Sequence, residues 1–278
     1  MQTKELEVSV LGWIRARLAG RRTPFVLGVN APQGAGKTTL TRGLCEALAA
    51  AGTRAVCLSV DDFYLTRPAQ VRLAAQHPRN PYLQMRGYPG THDIDLGART
   101  LAALVEPAPG VVRVPRYDKG AWQGEGDRLP EADWTAVERP LDLVLLEGWM
   151  LGFSAVGAEA LSDPRLAPVD AALPAYQAWH GRLDGFLQLV PVDYRFVLEW
   201  RVEAEAKVRA AGRPAMSDAR IREYVETFLP AYATWLPRLA ERPPVGENLL
   251  RVEIGRDRAP TGGGLRPLPV DPARAVLP

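Results

Sequence analysis

The sequence predicts an α/β fold: a doubly wound, mainly parallel five-stranded sheet with helices on both faces. Three observations carry this. Five apolar runs, Phe25–Asn30, Ala55–Val60, Leu141–Leu146, Gly185–Val190 and Leu249–Ile254, are continuous rather than alternating, as strands buried on both faces are. Helical periodicity separates most of them, and alternation of strand and helix builds parallel sheets. The first run leads into Ala31-Pro32-Gln33-Gly34-Ala35-Gly36-Lys37-Thr38 and then a helical pattern. That is the strand–loop–helix context of a phosphate-binding P-loop.

The elements follow in chain order. Leu6, Val10, Ile14 and Leu18 share one helical face, which predicts a helix packed on the domain edge. Leu40, Leu44 and Leu48 give the helix after the loop its apolar face. Thr66–His92, with Pro68, Pro78, Pro81 and Pro89, is expected to be irregular, and long irregular stretches are usually functional or disordered. Asp93 and Asp95 are capping candidates for a helix closed by Leu101, Leu104 and Val105. Arg195–Ala211 reads as a charged helix, and Ser217 as the cap of another carrying Ile221, Val225 and Phe228. Residues 1–254 are therefore expected to form one domain, with 66–130 inserted on the substrate side and 193–216 as a helical lid. Residues 255–278 hold five prolines and three consecutive glycines and are expected to be an extended tail.

Composition removes several function classes. With 278 residues the chain can bury a large core. A net charge of +2 gives no electrostatic case for nucleic acid. The longest apolar stretch, near Leu143 to Val156, is interrupted by Glu147, so no membrane span is expected. Lys4, Glu5 and Glu7 precede any apolar stretch, unlike a signal peptide. Cys45 and Cys57 make no disulfide framework; they are expected to be small buried residues of a cytoplasmic protein. Oligomeric state is not legible.

The candidate chemistry begins at the loop. Gly34, Ala35, Gly36, Lys37, Thr38 and Thr39 are the nucleotide-binding candidates. Small residues let the backbone curl so that N–H groups point at phosphate oxygens, and the following helix adds its positive end. Lys37 supplies a point charge for the β- and γ-phosphates, and the Thr38 hydroxyl is a Mg²⁺ ligand. Ala31, in place of the usual first glycine, is a local departure. Asp61-Asp62-Phe63-Tyr64 follows the second strand, where a carboxylate can take a hydroxyl proton or hold Mg²⁺ through water; the plain alternative is a helix cap. Glu147, ending an apolar strand before Gly148, is the second metal-side acid.

Thr66–His92 carries Arg67, Arg72, Arg79 and Arg86 and no acid, which suits an anionic small substrate or, failing that, a solvated basic face. His92 has no second histidine at ligand spacing and is read as orienting a group rather than binding metal. Arg116-Tyr117-Asp118-Lys119 and Gly126-Asp127-Arg128 flank a glycine- and tryptophan-containing turn, either a substrate pocket or a salt-bridged hairpin. Arg195, Arg201, Lys207, Arg209 and Arg213 are lid candidates, Arg201 foremost, against the plain reading of helix-surface pairs such as Glu203–Lys207.

Together these motifs resemble the ATP-dependent D-glycerate 3-kinases of plants and cyanobacteria, with a related fungal and bacterial group, in the phosphoribulokinase, uridine kinase and pantothenate kinase superfamily. The resemblance rests on Gly34-Ala35-Gly36-Lys37-Thr38-Thr39, Ser59-Val60-Asp61-Asp62-Phe63-Tyr64-Leu65, His77-Pro78-Arg79-Asn80-Pro81 and Arg86-Gly87-Tyr88-Pro89-Gly90-Thr91-His92-Asp93. It continues through Pro115-Arg116-Tyr117-Asp118-Lys119, Gly126-Asp127-Arg128, Leu146-Glu147-Gly148-Trp149-Met150-Leu151-Gly152-Phe153 and Met216-Ser217-Asp218, nearly the whole chain to Asp257.

The resemblance implies a kinase using ATP and Mg²⁺. It implies that Asp61, not Asp62, is the general base or metal partner, and that Glu147 is the Mg²⁺-side acid. Tyr64, Arg86, His92, Arg116, Tyr117 and Arg128 are then substrate-side residues. The implied catalytic set is Lys37, Asp61 and Arg201, and the metal set Thr38, Asp61 and Glu147. The implied acceptor is D-glycerate, which the acid-free segment also favours. A nucleoside acceptor stays open through Tyr82 and Tyr88, as do a pantothenate- or sugar-type acceptor and a nucleotide switch that transfers nothing.

Overall fold

The computed structural model describes residues 2–210, 212 and 218–261. Its strands are β1 Phe25–Asn30, β2 Ala55–Ser59, β3 Gly110–Val114, β4 Tyr117–Asp118, β5 Asp127–Arg128, β6 Thr135–Arg139, β7 Leu143–Gly148, β8 Gly185–Pro191 and β9 Leu249–Ile254. The helices are α1 Gln2–Leu18, α2 Lys37–Ala50, α3 Arg67–Gln76, α4 Ile94–Val105, α5 Ala167–Ala172, α6 Gln177–His180, α7 Phe196–Ala210, α8 Asp218–Glu226 and α9 Leu229–Glu241, with short 3₁₀ turns between some of them.

Five strands form one sheet in the order β2-β7-β1-β8-β9, all parallel. Every residue of β1 and β7 is buried, as central strands covered on both faces must be. The five expected strands are these five. The third begins two residues later than its periodicity suggested and runs through Glu147 to Gly148. Strand order reverses beside β1, because the chain goes to β2 on one side and later to β8 and β9 on the other. The carboxyl end of β1 is thus a topological switch point, where such sheets bind ligands.

Helix α1 lays Leu6, Val10 and Ile14 into the core and packs on α2, whose Leu40, Leu44 and Leu48 face β2 and β7. Asp93 caps α4 by accepting from the Leu96 N–H at 3.0 Å.

Several expectations change. Thr66–His92 is not wholly irregular: Arg67–Gln76 is a helix, with Thr66 at its N-cap. Pro68 lies in its first turn, where a missing N–H costs nothing. The antiparallel pair β3–β6 has no counterpart in the sequence reading. Cys45 on α2 and Cys57 on β2 are joined as a disulfide, their Cα atoms 6.8 Å apart. Packing of that helix on that strand places them together, which spacing alone did not show. The first residues of the tail are folded: Pro260 bridges back to Ile254, and the Gly255 N–H donates to the Ala259 carbonyl at 2.8 Å. Ser217 as a cap, Arg213 as a lid residue, the Met216-Ser217 motif and the tail from 262 onward lie outside the described residues. Among the described residues, no helix is long and apolar enough to cross a membrane.

Candidate active site

The parallel register puts the chemistry at one level. Ser59 of β2 and Val29 of β1 both pair with Glu147 of β7, and Asn30 pairs with Gly148. The loop after β1, the acids after β2 and Glu147 therefore meet at the carboxyl edge of the sheet. A Cβ on Gly148 would lie 2.6 Å from a methyl of Val60, so glycine lets the β2 turn close onto β7. Asn30 ties the segment after β7 to the loop: its Nδ2 donates to the Trp149 and Leu151 carbonyls, each at 2.9 Å.

The loop has the conformation a phosphate cradle needs. Gly34 and Gly36 take positive φ, +77° and +90°, and Gly36 is the N-cap of α2. That αL geometry turns successive N–H groups inward at the start of a fourteen-residue helix. Helix α7 closes over it, since a Cβ on Gly34 would lie 2.7 Å from the Trp200 Cβ. Arg258, from the turn after β9, donates from Nε to the Gly34 carbonyl at 2.9 Å and pairs with Glu203 at 2.7 Å.

Lys37 Nζ donates to the Pro32 carbonyl at 3.0 Å, so its ammonium lies across its own loop. Burial pushes its pKa down, and Glu147 and Asp61 partly offset this. The Thr38 hydroxyl donates to Glu147 Oε1 at 3.0 Å. Burial pushes the Glu147 carboxyl up against the opposing pull of Lys37. A hydroxyl and a carboxylate in contact are hard oxygen ligands of the kind Mg²⁺ takes, with phosphate oxygens and water completing its shell. Among the described residues no cluster of three or more His, Cys, Asp or Glu forms a metal cage.

The two adjacent acids differ. Residues 60–63 form a 3₁₀ turn with a capping box: the Ser59 side chain accepts from the Asp61 N–H, and the Asp62 carboxylate accepts from the Ser59 N–H. The same Asp62 oxygen pairs with Arg116 Nη1 at 3.0 Å, and Arg116 Nε donates to Thr135 Oγ1 at 2.9 Å. Burial lifts the Asp62 carboxyl above its ordinary range in spite of Arg116. Asp61 makes no cap with its side chain. Its Oδ2 accepts from Lys119 Nζ at 2.5 Å. Burial would raise the Asp61 carboxyl, but Lys119 and Tyr64 outweigh it and hold it below the usual carboxylate range.

The surrounding wall comes from distant segments. Tyr64 stacks on His92 with ring centroids 4.6 Å apart and meets Tyr117 edge-on at 5.3 Å. Arg128 donates to the Tyr64 carbonyl at 2.7 Å and pairs with Asp93 at 3.1 Å. Tyr117 and Arg128 face each other in the two-residue ribbon β4–β5. Tyr176 is a residue the sequence reading missed. Its hydroxyl accepts from the Gly90 N–H at 3.0 Å and lies 2.6 Å from His92 Nδ1. The direction of this bond follows the imidazole tautomer, and Nε2 is the ring nitrogen left outside it. That nitrogen is buried and has no partner among the described residues. Burial drives the His92 pKa to about 4, with Asp61 pulling the other way, so the ring is neutral at pH 7.

The basic segment does not converge on these acids. Arg67 pairs with Glu125 at 2.7 Å, and Arg86 donates to the Gly124, Glu125 and Lys119 carbonyls, while Arg72 and Arg79 are exposed. Arg201 pairs with Glu205 at 2.5 Å and lies 5.2 Å over Tyr224, and Lys207 pairs with Glu203, the helix-surface account of these residues. Tyr82 and Tyr88 are buried. Tyr82 donates to Asp163 at 2.6 Å and Tyr88 stacks on Phe228, so neither presents a face to a nucleobase. The cation that reaches Asp61 is Lys119, which the sequence reading held only as part of a motif.

A phosphate cradle at the switch point of a parallel sheet, with hard-oxygen ligands beside it, defines a P-loop nucleotide-binding protein. Comparison with known proteins narrows this class. The chain is 39% identical over 245 residues to the chloroplastic D-glycerate 3-kinase of Arabidopsis thaliana; the match covers 85% of this chain and 54% of that longer protein. It is 33% identical to an uncharacterized kinase of Schizosaccharomyces pombe, covering 85% of this chain and 90% of the relative. The solved structure of D-glycerate 3-kinase from Cryptococcus neoformans superposes with a TM-score of 0.84 at 30% identity, over 92% of this chain and 98% of that one. No family model matches. The chain belongs to the D-glycerate 3-kinase-like family of P-loop kinases.

Proposed function

We propose that this chain is an ATP-dependent kinase that transfers the γ-phosphoryl group to a hydroxyl of a small anionic acceptor, and that the acceptor is D-glycerate. The observation that carries this is Asp61: a carboxylate beside the phosphate cradle that no cap or scaffold arginine uses. A nucleotide switch has no need of such a group. The names of the relatives support glycerate, and the burial of Tyr82 and Tyr88 weighs against a stacked nucleoside.

In this reading the loop N–H groups at Gly34, Ala35, Gly36, Lys37, Thr38 and Thr39 hold the phosphates of ATP. Lys37 leaves the Pro32 carbonyl to neutralise the transferring phosphoryl. Thr38, Asp61 and Glu147 would hold Mg²⁺, which would supply positive charge at the phosphate oxygens. The acceptor oxygen bonds to the γ-phosphorus, the bond from phosphorus to the bridging oxygen breaks towards ADP, and the hydroxyl proton passes to Asp61 and then to water. Phosphoryl transfer asks mainly for positioning and electrostatics, which this rigid strand edge supplies. Tyr64, His92, Arg116, Tyr117 and Arg128 wall the acceptor side, and Arg86 holds the 119–125 turn against it. Residues 66–130 serve as the acceptor-side insertion and 193–216 as the lid. Arg201 would have to leave Glu205 to reach a phosphate.

The test is ADP release from Mg–ATP with D-glycerate, uridine, ribulose 5-phosphate or pantothenate added singly. Stimulation by D-glycerate alone is expected. Stimulation by another acceptor, or by none while ATP still binds, overturns the assignment.

A further inference from the structure

We propose that Arg258 is a positioning residue of the nucleotide site: it holds the phosphate cradle in its binding shape from behind. The inference rests on the kinase reading and deepens it, because it adds the turn after β9 to the nucleotide side. Arg258 meets the loop at both of its left-handed glycines. Its Nε donates to the Gly34 carbonyl at 2.9 Å, and a Cβ on Gly36 would lie 3.8 Å from its Cδ. Its Nη1 pairs with Glu203 of α7 at 2.7 Å, and its guanidinium carbon lies 5.4 Å from the centroid of the Trp200 ring. The guanidinium is thus held on the lid side while its Nε reaches the loop.

The turn is built to deliver this side chain. The Arg258 N–H donates to the Gly255 carbonyl at 2.9 Å, the Gly255 N–H to the Ala259 carbonyl at 2.8 Å, and the Ala259 N–H to Asp257 Oδ1 at 3.0 Å. Helix α7 anchors it further: the Trp200 indole N–H donates to the Arg256 carbonyl at 2.7 Å, and Glu199 pairs with Arg256. Arg258 takes φ +65°, one of three non-glycine residues at positive φ among the described residues. Glycine would be relaxed there, and a long side chain is not. A strained backbone that persists points to a task for the side chain it carries.

Peptide geometry gives the contact its consequence. The unit joining Gly34 to Ala35 is planar and trans, so its carbonyl and its N–H point in opposite directions. Arg258 draws the carbonyl outward, and the Ala35 N–H therefore faces into the loop. There the Pro32 carbonyl accepts it at 3.3 Å, beside Lys37 Nζ at 3.0 Å. That N–H bond is long, so a phosphate oxygen can take the donor over. Glycine at position 34 leaves the peptide free to turn over when nothing holds it. A turned peptide aims a carbonyl at the phosphates in place of an N–H. Affinity then falls with the fraction of loops that keep the binding shape.

The experiment titrates the full chain by calorimetry with Mg–ATP and, separately, with Mg–tripolyphosphate, as wild type, Arg258→Gly, Arg258→Met and Arg258→Lys. Thermal unfolding of each free protein runs alongside. Arg258→Gly and Arg258→Met should weaken both ligands roughly 10-fold, the low end for a hydrogen bond to a charged group. In steady state the loss should fall on the KM for ATP, with kcat and the KM for D-glycerate nearly unchanged. Arg258→Lys, which keeps a cationic donor, should recover most of the affinity. Arg258→Gly relaxes the turn, so its unfolding midpoint should stay within about 3 °C of wild type while its affinity falls. Unchanged affinity in both Arg258→Gly and Arg258→Met would reduce Arg258 to a surface ion pair with Glu203. A loss for Mg–ATP without a loss for Mg–tripolyphosphate would assign it to the base rather than to the cradle. Affinity lost only in step with the unfolding midpoint would leave it a structural brace. If the wild type phosphorylates no acceptor, the kinase reading fails, and the two titrations still decide what Arg258 does.

Discussion

The nucleotide side and the acceptor side of the crevice are built on different principles. On the nucleotide side, function is local: one loop of eight residues between a buried strand and a helix places its glycines, Lys37 and Thr38 together. On the acceptor side, function is assembled: Asp61 meets Lys119, His92 meets Tyr176, and Arg128 meets Asp93 and Tyr64, each across long stretches of chain. The local side is rigid by backbone geometry. The assembled side is held by ion pairs and hydrogen bonds between side chains. One side is set by backbone conformation within one segment, and the other by side-chain partners brought together from several segments.

Variants can break this comparison. On the local side, Lys37→Ala should reduce transfer roughly 10²–10³-fold, as the loss of a charge-stabilising donor does. Steady-state ADP release with saturating acceptor checks this, and unchanged turnover would remove the loop from the mechanism. Next is Gly34→Ala. It meets Trp200 at 2.7 Å and requires a non-glycine residue at positive φ, which should cost roughly 1–3 kcal/mol. Thermal unfolding with and without Mg–ATP should show a lower midpoint and a smaller shift on ligand addition. A variant as stable and as responsive as wild type would mean that α7 does not close over the loop.

A smaller effect concerns pH. Burial holds His92 and His180 at a pKa of about 4, below the ordinary 6.5, so both stay neutral while folded. The unfolded chain takes up their protons first as pH falls, so their contribution is full above pH 6.5 and is lost down towards pH 4. Each should contribute roughly 3 kcal/mol of this loss. His180 Nε2 accepts from the Gly152 N–H at 3.0 Å, and His180→Gln keeps an acceptor while removing the titration. Denaturant unfolding at pH 7 and pH 4.5 should show a smaller drop for that variant. An equal drop would assign the acid sensitivity elsewhere.

What was legible in the sequence follows the same division. The five strands of the main sheet, the loop and Glu147 are encoded by short contiguous patterns, and the structure has them where they were expected. Helix Arg67–Gln76 was hidden because its prolines flank or begin it rather than interrupt it. The pair β3–β6 was hidden because its strands are short, half exposed, and separated by the ribbon β4–β5. The segment 66–92 signalled an anionic ligand by its charge, yet Arg67 and Arg86 brace the neighbouring turn and Arg72 and Arg79 face solvent. Formal charge along a chain does not say which partner each side chain finds. Tyr176 has no sequence neighbour that marks it, and the Arg116-Tyr117-Asp118-Lys119 motif marks Lys119 without saying which acid it meets. Motif position proposes Asp61 over Asp62 as the base, and the capping box uses the Asp62 carboxylate.

That pair offers the most direct test. Asp61→Asn and Asp62→Asn, each assayed for Mg–ATP binding and acceptor-stimulated ADP release, separate a reacting carboxylate from a structural one. Asp61→Asn should bind Mg–ATP as wild type does and lose transfer roughly 10²–10⁴-fold, while Asp62→Asn should lose stability more than turnover. The larger catalytic loss in Asp62→Asn, with Asp61→Asn still active, would contradict the account.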